Sequence, residues 1–463
     1  DMEELLLDKQ IMKYETAIRK MNEGLSKEGI YGIPTEVSEN PPYMASEVLE
    51  PTYGAYLRWD LYKELGYPTI ETLEDLLPVL KDMQNLQPYG ENGERTYAFS
   101  FFKSWDDNMM TGAKQPCCFY GYDEFGFVLV KADGSDYQSI IEPDSMYMRV
   151  LKLYFDANQM GLVDPESPSQ DYETFENKYK TGELLYAPWP WVSQTNYNTL
   201  DRKQEGKGFM LVDIEDMEIY SYGCSNEGNA RVMLAVGSGA EDPGRLVEFI
   251  DWLYSPEGIR NNSAQVSAGT VGPQGLCWEM GEDGPYLTEF GVKALLNGNA
   301  ELPNEWGGGN FHDGISRLNC KTVSKKEVDE NGYPYEYMLW DSVIDLFSTS
   351  LDKDWQQQMG ASSTMEFLEE NNKLLVSPGS NFAIEPEGAE EYTIRNQCKR
   401  AIQDYSWKMV FAENESEFYR LFKEMRSEVL SYGYETILAL DMENAQKREE
   451  VKKEAVIAYE EGR

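Results

Sequence analysis

Histidine is almost missing: His312 is the single one in 463 residues. With so little imidazole, histidine-dependent hydrolysis is nearly excluded, and His312 alone cannot complete a Cys/His zinc site. Basic residues are scarce beside acids, 41 Lys+Arg against 82 Asp+Glu, for a formal net charge of −41. Such a surface repels phosphate backbones and anionic headgroups, which disfavours nucleic acid and acidic membranes as partners. The excess of acid serves solubility, or it favours a cationic ligand; composition leaves both open. No apolar run is long enough to span a bilayer, and no charged-then-apolar leader opens the chain at Asp1. The six cysteines (117, 118, 224, 277, 320 and 398) contain no C-x-x-C spacing. A chain of this length needs no covalent staples, so buried free thiols are expected rather than disulfides. Phosphate loops, dinucleotide glycine patterns and serine elbows are absent too, so no cofactor is expected.

What the chain does have is aromatic weight: 10 Trp, 31 Tyr and 18 Phe, more than a core alone calls for in so polar a protein. Apolar residues recur at helical spacing in four places. Thr72 and Asp75 form a capping box ahead of a helix over 72–86, with Leu73, Leu76, Leu77, Leu80 and Met83 on one face. A second helix covers 145–160 and stops at Gly161. A third starts at Asp242-Pro243 and buries Leu246, Phe249, Ile250 and Leu253; a fourth covers 416–432 and stops at Gly433. Short strands are expected at 30–34, 54–58, 184–187 and 231–236. Stretches 88–94, 299–314 and 376–390 read as loops, and the charged tail 440–463 as a packing helix with a solvated face. Strands alternating with helices make this an α/β protein.

An ordered series of segments then carries a family resemblance. It comprises G-I-Y-G-I-P (29–34), Y-L-R-W-D (56–60), G-L-V-D-P-E (161–166), D-Y-E-T-F (171–175) and G-E-L-L-Y-A-P-W-P-W (182–191). It continues with D-P-G-R-L-V-E-F-I-D-W-L-Y-S-P-E-G (242–258) and ends with L-S-Y-G-Y-E-T-I-L-A-L-D (430–441). In this order the chain resembles the family 1 extracellular solute-binding proteins, in particular the larger subgroup serving oligosaccharide importers of Gram-positive bacteria, similar to alginate-binding proteins. The resemblance implies a periplasmic-binding-protein-like type II fold: two discontinuous α/β lobes joined by crossing strands, with ligand in the cleft between them. It places residues 1–34 and 232–302 in the first lobe and 35–231 and 303–463 in the second, with crossings near 33–36, 231–236 and 300–310. The family's founding strand–helix–strand, and the signal peptide and lipid-bearing cysteine before it, are absent from these 463 residues. The implied partners are a carbohydrate and the membrane permeases of an ABC transporter, for a monomer that is extracellular and lipid-anchored in its full-length precursor.

Sugars present flat C–H faces that stack on aromatic rings and hydroxyls that need carboxylates, amides or N–H groups. The segment 187–196 fits best, following a short strand with two prolines that stiffen it. It resembles the G-P-W-A-W-S element of maltodextrin-binding proteins, which carries a sugar-stacking role to Trp189 and puts Trp191 behind it. Trp105, in F-F-K-S-W-D-D-N (101–108), is a second ring, with Asp106, Asp107 and Asn108 as hydroxyl partners. The glycine-rich 305–314 adds Trp306, Asn310, His312 and Asp313, and Glu36 and Ser38 follow the first crossing strand. Relatives carry a calcium loop after the first helix; here Glu91, Asn92 and Glu94 remain of it, but Tyr89 and Arg95 break the pattern, so a plain turn is expected. Two other classes stay open: a glycoside hydrolase, needing two carboxyls across a glycosidic bond, and a surface lectin, needing the same rings but no hinge.

Overall fold

The computed structural model describes residues 1–23, 25, 27–262, 270–298, 300–313 and 320–462, with the backbone alone at 229–231 and 313. The four helices expected from periodicity are present. Thr72 and Asp75 close their capping box on Leu73–Asp75, which runs on into Leu76–Leu86. Ser145 caps Met146–Gln159 through the Met148 amide, and Asp242 caps Pro243–Leu253 through Arg245. Glu415–Tyr432 ends at Gly433, whose φ of +99° lies in the left-handed region open to glycine. One stripe differs from expectation. Val247, Ile250 and Leu253 face the core, while Leu246 and Phe249 stand exposed, because the contact face is set by packing against Leu6, Ile11 and Ile33.

Strands are short and distributed among small sheets. Tyr56–Arg58 lies between Tyr186–Ala187 and Phe209–Leu211, antiparallel to both. A three-stranded meander, Tyr122–Phe125, Val128–Lys131 and Tyr137–Ser139, was not visible as strand in the sequence. Leu374–Ser377 runs parallel to Ile219–Tyr222, and Ile33–Thr35 antiparallel to Asn229–Leu234. Just beyond, Val37 bridges in parallel to both Ser225 and Val323, so three chain segments run side by side there. The third of these segments is 322–324. Glu36, at the start of this bundle, has φ +53° and donates its backbone N–H to Lys321 O (2.9 Å).

Apolar burial falls into separate clusters. The largest gathers residues between 53 and 220 with the helical C-terminal part from 351 to 437. A second joins residues 2–37 to 247–259 and includes Val323 and Tyr335. A third joins 271–300 to 311–343. Phe311, Tyr337, Trp340 and Val343 therefore pack with residues of 271–300. The tail forms the helix Tyr434–Glu460, which buries polar groups as well as apolar ones. Its Asp441 accepts from the Phe127 amide (2.7 Å) and from both terminal nitrogens of Arg395 (3.0 and 2.6 Å). That clamp lies against Gly126, at φ +62°, where a Cβ would collide with the Asp441 carboxylate.

All six cysteines are unpaired and buried, and burial pushes their thiols up, Cys320 and Cys398 to about 11. Among the described residues no helix is long and apolar enough to cross a membrane.

Candidate functional site

Three tryptophans named from the sequence meet at one place. Pro190 opens the helix Pro190–Tyr197 at its first position, where a missing N–H costs nothing. Trp189 is thereby the N-cap, with extended φ/ψ of −132°/125°, and its ring turns inward. It is 7% exposed, and its indole N–H donates to Gln115 Oε1 (3.1 Å). Trp191, one step into the helix, is 43% exposed and lies 5.2 Å from Trp189, centroid to centroid, with the planes 30° apart. The order is thus the reverse of the expected one: Trp189 stands behind and Trp191 in front.

Trp105 extends this surface. It is 44% exposed, lies 6.2 Å from Trp191 at 27°, and stacks on Tyr172 at 4.7 Å and 20°. Phe102 meets it edge-on at 4.9 Å. Its loop is fastened from several sides. Asp106 accepts from the Thr111 amide (2.8 Å) and from Trp407 Nε1 (2.7 Å), and Thr111 Oγ1 donates to Trp105 O (2.6 Å). Asp107 pairs with Lys399, Gln403 donates to the Asp107 carbonyl, and Asn108 donates to Glu124 (2.7 Å). Burial pushes the Asp106 carboxyl up to about 6. Asp106 and Asn108, expected as hydroxyl partners, therefore hold the loop, and their oxygens and amide are already engaged.

Tyr172 is positioned by its own helix, Tyr172–Lys180, capped by Asp171 on the Thr174 amide (2.9 Å). Gln170, just before it, donates to Ser100 Oγ and Phe101 O, both at 2.6 Å. Ser100 in turn donates to Asp164 (2.6 Å), which also takes Lys178 (2.7 Å). These bonds tie segment 99–105 to segment 164–178. Cations around the rings are spoken for: Lys399 by Asp107, Lys178 by Asp164 and Glu166, and Lys103 against the Trp407 face at 5.0 Å. The resulting surface is apolar, half-exposed and fastened by these bonds, with every cation in this set engaged by a carboxylate or a ring.

The remaining candidates lie elsewhere. Trp306, 43% exposed on the turn Asn304–Trp306, makes no ring contact with the Trp105–Trp191 surface. Asn310 accepts the His312 amide (2.8 Å), and His312 Nε2 lies 2.9 Å from Ala294 O, as a structural histidine would. Asp313 has a side chain outside the described residues. Glu36 is exposed at the three-segment bundle, and Ser38 is buried, donating to Glu327 (2.9 Å). The former loop candidates form a hairpin, Tyr89 bridging Arg95. In it Glu91 takes Arg202 (2.7 Å), and Asn92 donates to Glu183 (2.8 Å) while its own carbonyl oxygen takes the Glu94 amide (3.1 Å). Sequence reasoning missed Tyr172 and Gln115 as parts of the aromatic surface. Tyr172 had a usable signal, an aromatic at the first position of a capped helix; Gln115 had none.

No family model matches the sequence, and no curated protein matches it. Solved structures do. The alginate-binding protein AlgQ2, without calcium ion, superposes with TM-score 0.57 at 12% identity, over 96% of this chain and 80% of that one. The S. pneumoniae ABC-transporter substrate-binding protein FusA, an EF-hand mutant in complex with fructo-nystose, gives 0.55 at 16% identity, over 96% and 83%. An HMO-binding solute-binding protein from Bifidobacterium longum infantis gives 0.53 at 12% identity, over 94% and 80%. At such identities the likeness speaks to architecture: the chain has the two-lobed α/β fold of the solute-binding proteins of ABC transporters.

Proposed function

We propose that this protein is the solute-binding component of an ABC importer and captures a carbohydrate, an oligosaccharide, by lobe closure without covalent chemistry. The observation that carries this reading is the Trp105–Trp191 surface, two half-exposed indoles backed by Trp189 and Tyr172. Pyranose C–H faces stack on such rings, and the pinned loops remove the entropy cost of holding them. Its fold neighbours are described as binding fructo-nystose, alginate and HMO, which supports the same ligand class. Ligand touching both lobes only in the closed form shifts the population towards closure by its differential affinity. The first lobe, in this reading, comprises residues 1–34 and about 232–347, because Phe311, Tyr337, Trp340 and Val343 pack with 271–300 while Val323 and Tyr335 pack with 2–37; the second comprises 35–231 and the remainder. The closed form docks on membrane permeases from the extracellular side, the protein being lipid-anchored in its precursor.

The test is a thermal-shift and tryptophan-fluorescence screen against plant, host and microbial oligosaccharides, since a ligand stabilises only the fold it binds. A hit whose affinity falls on replacing Trp191 or Trp105, and whose binding compacts the protein in small-angle scattering, supports the reading. Binding without compaction points to a lectin; accumulation of cleaved products points to a hydrolase. Silence across the panel sinks the carbohydrate assignment.

A further inference from the structure

Behind Trp189 lies a small pocket, whose empty space is about 400 Å³ only when the open solvent at its mouth is included. Its rim is half-buried Thr111, Gly112 and Pro188; its walls are fully buried rings, among them Phe101, Phe102, Tyr154 and Phe175. Thr111 also holds the Trp105 carbonyl, so the mouth opens at the foot of the exposed aromatic surface. The pocket is shaped by Gly112, where a Cβ would come within 2.7 Å of the Phe101 ring.

The polar groups of this pocket are committed, with one exception. Ser100 donates to Asp164, Thr111 to Trp105 O, Tyr154 to Gly112 O (3.1 Å) and Tyr179 to Tyr186 O (3.0 Å). The Tyr186 hydroxyl, on a residue only 4% exposed, makes no hydrogen bond of good geometry, its contact with the Tyr154 hydroxyl included. It lies near the Tyr154 hydroxyl, whose proton goes to Gly112, and burial keeps its own proton on. An orphaned buried donor costs about 1–3 kcal/mol, and nearly all such groups in folded proteins have partners. An apolar cavity offering a single free O–H suits a small apolar group that carries one hydrogen-bond acceptor.

We propose that this pocket receives the acetyl group of an acetylated sugar seated on the Trp105–Trp191 surface. The methyl packs among the rings, and the acetyl carbonyl oxygen accepts from the Tyr186 hydroxyl. This inference rests on the carbohydrate reading and narrows it to acetyl-bearing glycans. The acetyl can be attached through nitrogen, as in 2-acetamido sugars, or through oxygen, and a calorimetric comparison separates the two.

Titrations of the full chain with cellotriose, chitotriose and O-acetylated cellotriose share one β-1,4 backbone and differ in the acetyl group. At least one acetylated trisaccharide is expected to bind about tenfold more tightly than cellotriose, and Tyr186→Phe to reduce that preference about 5- to 10-fold, the worth of one buried hydrogen bond. The tighter of the two acetylated ligands identifies the linkage. Equal affinity for acetylated and unacetylated ligands overturns the proposal, as does a preference untouched by Tyr186→Phe. If none of the three binds, the acetyl pocket is also rejected, whereas the solute-binding reading falls only when the wider oligosaccharide panel is silent as well. The wild-type comparison alone decides the matter should the variant fold poorly.

Discussion

Replacing each tryptophan of the site by alanine separates the ring that holds the site together from the rings that meet ligand. Trp189 is buried at 7% exposure and bonded to Gln115, so Trp189→Ala loses a core aromatic, worth about 3–5 kcal/mol. It also leaves Gln115 Oε1 without its donor, which adds about 1 kcal/mol unless water enters. Trp191, at 43% exposure, keeps much of its surface in water; its loss forfeits stacking on Trp189 and Trp105, about 0.5–1.5 kcal/mol. Trp105→Ala is expected to cost about 1–2 kcal/mol, since its ring also meets Tyr172 and Phe102. In binding the order is inverted. Trp191→Ala and Trp105→Ala should each weaken a captured glycan by about 1–3 kcal/mol, roughly 5- to 150-fold in Kd. Trp189→Ala should act on affinity mainly through displacement of Trp191. Urea unfolding followed by circular dichroism gives the stability series, and calorimetry with a hit from the oligosaccharide screen gives the affinity series. Unchanged affinity in both the Trp105 and Trp191 variants, together with a large loss of stability in either, would refute the assignment of these rings to the ligand.

Three further outcomes follow from the packing. Asp106 has a carboxyl raised from its ordinary 3.8 to about 6, so the folded state holds its proton more tightly than the unfolded chain. That contribution is fully present below about pH 4 and is lost as pH rises to 6. Asp106→Asn should remove, relative to wild type, a fall in unfolding free energy on the order of 2–3 kcal/mol across that window, measured by urea titration at each pH; a parallel pair of curves contradicts it. Gly126→Ala should destabilise by about 3 kcal/mol or more, because the methyl drives Asp441 away from Arg395 and the backbone at φ +62° resists a side chain; a wild-type melting curve would show that the clamp contributes little. Millimolar Ca²⁺ should leave the melting temperature unchanged, since Glu91 is held by Arg202 and Asn92 by Glu183; a rise of several degrees would mean the 89–95 hairpin opens to bind it.

Local signals were legible where physics is local. Capping boxes, N-caps and glycine stops marked the helices at 72, 145, 242 and 415 to within a residue or two, because side-chain caps and left-handed stops act within one turn. Long-range choices were not. The meander from Tyr122 to Ser139 depends on Asp441 and Tyr434, more than 290 residues away, to satisfy Phe127 and Ser139. Val247 and Leu246 are equally apolar, and only the partner helix decides which of them is covered. Likewise, nothing near residue 311 announces that it packs on Phe290 rather than on the C-terminal helices.

The exchanged roles of Trp189 and Trp191 show how small the missing information can be. W-P-W places two rings about one proline, but the order of those rings depends on where the helix begins. With Pro190 at the first helical position, residue 189 must keep extended angles, and its Cβ follows the preceding strand into the core. Residue 191 is then committed to the helix surface. Were the helix to begin two residues later, the same three letters would present Trp189 outward. The inward turn of Trp189 also accounts for the rest of the site: it gives Gln115 its donor, supports Trp191 from below, and forms the ceiling of the pocket in which the Tyr186 hydroxyl makes no hydrogen bond of good geometry. One proline thus couples the exposed stacking surface to the cavity beneath it. A substitution that lets the helix start elsewhere, Pro190→Gly, should therefore disturb stacking affinity and acetyl preference together, whereas independent subsites would respond one at a time.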